Sequence, residues 1–429
     1  MQIAERIAAI GGSVFSTELP VRIEAWDRST AGDRSKPLLR IANRRALRRL
    51  MWSPNELGFA QAYVTGELDV PGDSAELDRA FRALWASPAA RNATRATPGP
   101  RQYRGIAALA LRSGAIGPRP KPPRSQIKLT GRLHTLSRDR AVIAHHYDLS
   151  NDFYALILDP TMAYSCAYYA SPDLTVEKAQ IAKLDLICRK LGLHEGMRLL
   201  DVGCGWGSLS LHAAEYYGAQ VTGVTISKQQ HRHITEQIAQ RGLEGRVEVR
   251  IQDYREIDDG EYDAVSSIEM GEHVGLDNYP AYADQLFRHL KPGGRLLLQQ
   301  MSRRADAAPG GGPFIEAFIA PDMHMRPLPQ TLTMLERAGF EILETQNLRE
   351  HYARTIADWH RTFDENYDRA IEMVGVEVAR VWRLYLVGAG LSFEQGRMGV
   401  DQILLRRPTG ELSTAPRALE PLATTWYEK

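Results

Sequence analysis

Two constellations in this sequence carry residue types suited to chemistry. In the first, Gly203-Cys204-Gly205-Trp206-Gly207 follows directly on the apolar run Arg198–Val202 and precedes the apolar stretch Leu209 to Ala214. Asp201 stands two residues before the first glycine. A glycine-rich turn between strand and helix lets the backbone bend sharply and approach a ligand closely. Dinucleotide enzymes use such a turn too, so it names no ligand class by itself. In the second, Ile268-Glu269-Met270-Gly271-Glu272-His273 brings Glu269 and Glu272 close together after another apolar run. A carboxylate in such a place suits general-base work, and like charges a few ångströms apart disfavour joint ionisation.

These groups need a scaffold. From His134 onward strand-like and helix-like runs alternate, which predicts an α/β fold with a doubly wound, mainly parallel sheet. The strands read as 198–202, 220–225, 247–251, 262–268 and 295–299, with 341–343 and 402–405 closing a seven-stranded sheet. Ahead of this, residues 1–90 read as a small mixed and helical domain. Within it Arg40, Arg44, Arg45, Arg48 and Arg49 interleave with Leu39, Ile41, Leu47 and Leu50, a pattern that fits either a membrane-surface helix or a solvated face. Residues 91–133 read as a basic, proline-broken linker. Residues 134–429 form the remaining domain, with an insertion around 303–330.

Composition narrows the function classes. With 24% charged residues and a net charge of +1, the chain buries a sizeable core and is not built throughout for nucleic acid. Between residues 91 and 140 only Asp139 opposes a run of arginines and lysines, which suits an anionic membrane surface. That run lacks the aromatic interleaving of a nucleic-acid binder, and nucleic acid is not an expected partner. Three cysteines, Cys166, Cys188 and Cys204, are odd in number and lack metal-ligand spacing, so no metal and a reducing compartment are expected. No stretch approaches the ~18 apolar residues of a membrane span. The expected location is cytoplasmic, peripheral on the inner face of the membrane.

The glycine run with its preceding acid, and Lys291-Pro292-Gly293-Gly294 before the fifth strand, resemble motifs of class I S-adenosylmethionine (SAM) methyltransferases, which implies a Rossmann-like fold. Most such enzymes end the second strand in a carboxylate for the ribose. Here Thr225-Ile226-Ser227-Lys228-Gln229-Gln230 stands instead, so Thr225 and Gln230 are the candidates for the ribose. Asp253, with Tyr254 beside it, is the candidate for the adenine.

Longer stretches resemble one family. His145 to Tyr154, Met162 to Tyr169, Val221 to Ser227, Gln252 to Arg255 and Glu272 to Gly275 together are similar to the cyclopropane-fatty-acyl-phospholipid synthase family. The resemblance implies methyl transfer from SAM to the cis double bond of an acyl chain in a membrane phospholipid. It implies that Tyr164 and Ser165, beside Gly203 and Gly205, hold the carboxylate end of SAM. It also implies a bicarbonate pocket formed by Cys166, Glu272, a histidine, an apolar residue and a tyrosine, the last matched by Tyr352. Tyr168, Phe314, Phe318 and His146 are the candidates for the acyl chain. A homodimer is implied by the resemblance alone.

Three residues depart from that pattern. Gln299 stands in place of the histidine, with Met301 in that of an isoleucine, and Glu269 replaces a glycine. A carboxylate at Glu269 repels bicarbonate, and Gln299 cannot carry the charge of a histidinium, so bicarbonate is disfavoured. Glu269 or Glu272 then serves directly as base. A hydride shift followed by methyl deprotonation gives a 10-methylene chain, the precursor of 10-methyl (tuberculostearate-type) lipids. That resembles the actinobacterial methyltransferases of the tuberculostearate pathway and implies a separate reductase. A cyclopropane is the alternative product. A methyltransferase for a soluble metabolite or RNA, and a lipid-binding protein with a decayed site, are the competing classes.

Overall fold

The computed structural model describes residues 2–15, 18–86, 104, 107–108, 110–111, 114–127, 138 and 150–410. The chain forms two compact units that are not contiguous in sequence. One comprises Met1–Lys128, Pro313–Ile319 and His360–Leu391, and the other Leu129–Gly312, Ala320–Trp359 and Ser392–Lys429.

The first unit opens with a helix, Ile3–Phe15, and a four-stranded sheet in the order β2-β1-β3-β4, where β1 is Arg22–Ala25, β2 Thr30–Ala31, β3 Leu38–Ile41 and β4 Leu68–Asp69. Asn43 caps the helix Arg44–Trp52 by accepting from the Arg45 amide at 2.9 Å, and Asn55 caps Glu56–Val64 by accepting from Gly58 at 3.2 Å. Arg49 is buried and forks onto the Glu67 carboxylate at 2.9 and 3.1 Å. Part of the expected linker, residues 91–133, is described. Residues 114–127 are packed into this unit: Arg48 donates to the Ala115 carbonyl at 2.8 Å, Arg49 to that of Lys121 at 3.0 Å, and Gln61 to the Gln126 side chain at 2.7 Å. Prolines leave such a segment short of amide donors for a ladder of its own, so its carbonyls take donors from neighbouring side chains.

The second unit is built on a seven-stranded sheet in the order β10-β11-β9-β8-β5-β6-β7. Its strands are β5 Arg198–Val202, β6 Gln220–Thr225, β7 Val247–Ile251, β8 Tyr262–Ile268, β9 Leu290–Arg303, β10 Glu341–Asn347 and β11 Met398–Arg406. Pairing is parallel from β7 through β9, and β11 inserts antiparallel between β9 and β10. Alternate side chains feed separate cores. Leu199, Val221 and Leu297 join one cluster, while Leu200, Val224 and Leu296 join another. Each such leucine contributes roughly 1.5–3 kcal/mol of burial. The fifth strand begins earlier than its apolar run suggests, because Gly293 and Gly294 exchange backbone hydrogen bonds with Arg407 at 2.7 and 3.0 Å. The strand order reverses at β5, with β8 on one side and β6 on the other, and such a switch point opens a crevice at the carboxyl ends of the strands.

Candidate active site

At that crevice a cavity is walled by the glycine turn, the ends of β6 and β8, and Met162, Tyr164, Ser165 and Trp206. Gly203 and Gly205 take left-handed backbone, φ 76° and 56°. A Cβ on Gly203 would meet the Met270 Cγ at 2.8 Å, so glycine is required there for space as well as conformation. The amides of Gly203 and Cys204 both donate to the Val224 carbonyl at 3.0 Å, which fixes the turn against β6. Asp201 lines the cavity but is a clamp: Ser210 donates to one carboxylate oxygen at 2.7 Å and Ser266 to the other at 2.9 Å.

The remaining candidates for SAM lie around this turn. The Thr225 hydroxyl donates to the Gln230 side-chain carbonyl at 2.7 Å, and both residues line the cavity. Asp253 and Tyr254 line it too, but the Asp253 carboxylate is already gripped by the Arg255 guanidinium through two bonds of 2.8 Å. Arg255 ends one of the stretches that carry the family resemblance, but the sequence assigns it no role. Nor does it assign one to Lys183. It is buried on the helix Val176–Leu191, lines the cavity and donates to the Ser165 hydroxyl at 2.9 Å. Burial pulls the pKa of its ammonium down, while the charge of Glu269 chiefly opposes that pull.

Glu269 is the centre of the arrangement. Its carboxylate accepts from the Cys166 amide at 2.8 Å, the Gln299 side chain at 2.8 Å and the Tyr352 hydroxyl at 2.6 Å. These are three of the groups that the sequence resemblance assigns to an anion pocket. The chain's own carboxylate therefore occupies the donors that bicarbonate would use, and the residues present do not fit that anion. Gln299 is oriented in turn by Gln402, which donates to its carbonyl oxygen at 3.0 Å. Burial pushes the pKa of Glu269 up, and the three hydrogen bonds and Lys183 pull it down.

Glu272 differs. It is fully buried, and neither carboxylate oxygen has a hydrogen-bond partner among the described residues. Burial, reinforced by the Glu269 charge, pushes its pKa to about 8, against weaker opposition from its own backbone, the Met301 backbone and Arg326. That shift favours its protonated form at neutral pH, and of the two carboxyls Glu269 is the one whose charged form is held by hydrogen bonds. The Cys166 thiol is no nucleophile: burial pushes its pKa well above the ordinary thiol range, and its sulfur faces the Ala167 and Leu348 carbonyls. Met301 pairs with Val400 on β11 and serves through its backbone position beside Glu272.

The acyl-chain candidates fare unevenly. Tyr168 packs against His351, with ring centroids 4.9 Å apart, and is not on the cavity wall. Phe314 and Phe318 pair within the first unit, 5.6 Å apart, while the cavity wall comes from the second unit alone. His146 lies outside the described residues. Met162, Glu269 and Asp322 are three of the four non-glycine residues with left-handed φ among the described residues, at 56°, 52° and 66°, and all three line the cavity. Backbone held in this region costs on the order of 1–3 kcal/mol per residue and gathers at functional sites.

Comparison with known proteins places this geometry. The family described as mycolic acid cyclopropane synthetase matches residues 134–403. A probable fatty acid methyltransferase of Mycobacterium tuberculosis is 35% identical over 402 residues, covering 91% of this chain and 92% of the relative. A probable fatty acid methyltransferase of Pseudomonas putida is 33% identical over 408 residues, covering 94% and 95%. The solved cyclopropane synthase MmaA2 from Mycobacterium tuberculosis superposes with a TM-score of 0.60 at 32% identity, covering 64% of this chain and 100% of that one. Mycolic acid cyclopropane synthase CmaA1, solved with SAH and CTAB, gives 0.59 at 34% identity, covering 62% and 98%.

Proposed function

The chain belongs to the mycolic acid cyclopropane synthetase family, and from that premise we propose that it methylates the cis double bond of an unsaturated acyl chain in a membrane phospholipid and releases a 10-methylene chain. Its methyl donor is S-adenosylmethionine, the cofactor of this family. The glycine cradle, which a Cβ would fill at Gly203, and the Thr225–Gln230 pair fit that donor. The observation that carries the reading is the Glu269 carboxylate seated on the Cys166, Gln299 and Tyr352 donors.

When bound, the donor supplies an electrophilic methyl on a sulfonium that leaves as a neutral thioether. The alkene's electron pair forms the new carbon–carbon bond, and positive charge remains on the neighbouring carbon. Tyr164 and Trp206 line the cavity, and aromatic side chains there stabilise such charge without capturing it as water would. A 1,2-hydride shift moves the charge to the methyl-bearing carbon. Glu269 then takes a proton from that methyl, and the released pair closes the methylene double bond. Glu272, neutral at this pH, adds no second negative charge beside the base.

A cyclopropane is the second reading, favoured by the solved neighbours' printed function. It uses the same base without the hydride shift. Under the methylene reading a separate reductase completes a 10-methyl chain, and the enzyme works as a peripheral protein on the inner membrane face, in keeping with the absence, among the described residues, of any helix long and apolar enough to cross. The test is purified enzyme with SAM and an oleoyl phospholipid, followed by mass spectrometry and proton NMR of the released acyl chain. Vinylidene protons support the methylene product; high-field cyclopropane protons overturn it, and no label in lipid overturns the substrate class.

A further inference from the structure

Of the large apolar side chains exposed on the first unit, Met51 and Trp52 stand at the end of the helix Arg44–Trp52 and Leu111 and Ile116 on the segment that packs against it, while Met373 and Val376 stand apart in sequence on residues 360–391. Trp52 is 55% exposed, Ile116 54% and Leu111 72%, and Met51 precedes Trp52 at the end of the helix. This is no accident of a loose loop. Trp52 donates its indole N–H to the Gly117 carbonyl at 3.1 Å, and Arg48 donates to the carbonyls of Ala115 and Ile116 at 2.8 and 3.1 Å. The helix end and the 114–117 segment thus form one built face that holds Trp52 and Ile116 outward. A Cβ at Gly117 would meet the Arg48 guanidinium carbon at 2.5 Å and one at Gly114 the Arg44 guanidinium at 3.0 Å, so the small residues let the two pieces close.

The rim of this face is cationic. Arg44, Arg45 and Arg48 line a shallow depression with Trp26, Asn43 and Gly114. Arg44 makes no ion pair among the described residues, and Arg119, Lys121 and Arg124 stand exposed on the same segment. The nearby acid Glu67 is buried beneath Arg49 and Arg45. Exposed tryptophan and aliphatic groups rimmed by exposed basic side chains match a bilayer interface, where the apolar groups enter the headgroup boundary and the cations meet lipid phosphates.

We infer that the face formed by Trp52, Met51, Leu111 and Ile116, rimmed by Arg44 and Arg119, docks the enzyme on an anionic phospholipid bilayer. The inference rests on the phospholipid reading above and adds the surface that meets the membrane. A surface buried against another protein is the competing outcome. A nucleic-acid surface is less well matched, since the exposed side chains include aliphatic ones that stack on no base.

The full chain is tested by flotation with phosphatidylglycerol vesicles and with phosphatidylcholine vesicles. Preference for phosphatidylglycerol, lost at high salt, is expected. Arg44→Glu with Arg119→Glu removes two cations and adds two acids, and binding should fall by more than tenfold, since one basic residue near an anionic leaflet is worth roughly a fivefold change. Ile116→Ser breaks none of the bonds that build the face and should weaken binding to both vesicle types; Trp52→Phe keeps the apolar group and should restore most of what Trp52→Ser loses. Methyl transfer to oleoyl phospholipid dispersed in detergent should stay unchanged in these variants, while transfer to vesicles falls through KM. Unaltered vesicle binding in the variants overturns the inference, as does binding of duplex DNA or a stable dimer that these substitutions dissociate. Detergent-phase activity without vesicle binding defeats the docking surface alone; vesicle binding without methyl transfer defeats the substrate reading alone.

Discussion

The Tyr352 hydroxyl donates to the Glu269 carboxylate at 2.6 Å, joining the helix Arg349–Glu365 to the end of β8 across 83 residues of sequence. The bond lowers the pKa that burial raises, and so helps keep the base ionised. Tyr352→Phe removes it. The acid limb of the pH–rate profile should move to higher pH, and kcat should fall about 10- to 100-fold, the worth of a hydrogen bond to a charged group. A lowered kcat with an unmoved acid limb would contradict this role.

Glu269→Gln keeps the volume and removes the base, and methyl transfer should fall by about 10²- to 10⁴-fold with SAM binding, followed by calorimetry, retained. Glu269→Gly combined with Gln299→His reopens the donors of Cys166 and Tyr352. The product should shift toward cyclopropane, and the rate should become dependent on added bicarbonate. An unchanged product ratio would refute the part assigned to this pair.

Glu272 sets a pH signature in stability. Its folded pKa, about 8, lies above the ordinary value of 4.5, so the folded state binds the extra proton between those limits. Stability is full below the lower limit and is lost as pH rises toward 8. Glu272→Gln abolishes that loss. Relative to the parent, the variant's melting temperature should rise between pH 5 and pH 8, by an amount corresponding to on the order of a few kcal/mol. A constant difference across that range would show that Glu272 is not protonated in the fold.

Cys166 contributes its amide to Glu269, not its thiol. Cys166→Ala should therefore retain activity within about threefold while costing on the order of 1 kcal/mol of stability from the lost sulfur. Alkylating reagents should react slowly with the folded enzyme. Rapid inactivation, blocked by the alanine variant, would restore a role for the thiol.

Much of this was legible beforehand. The strands at 198–202, 220–225, 247–251 and 262–268 stand where the apolar runs place them, because strands buried on both faces write a continuous signal into local sequence. The glycine turn was equally plain, since left-handed backbone beside a close neighbour admits only glycine at Gly203. The departures at Glu269 and Gln299 could be named from the sequence set against the family it resembles. What those two do could not. That the Glu269 carboxylate turns onto Cys166, Gln299 and Tyr352, while Glu272 has no hydrogen-bond partner among the described residues, depends on groups from four separate stretches meeting in one desolvated place. The sequence assigns no role to Lys183 or Arg255; packing buries one against Ser165 and locks the other onto Asp253. Local sequence determines backbone habit and which faces are apolar; burial, ionisation and hydrogen-bond partners are properties of the assembled interior, and only the tertiary structure decides them.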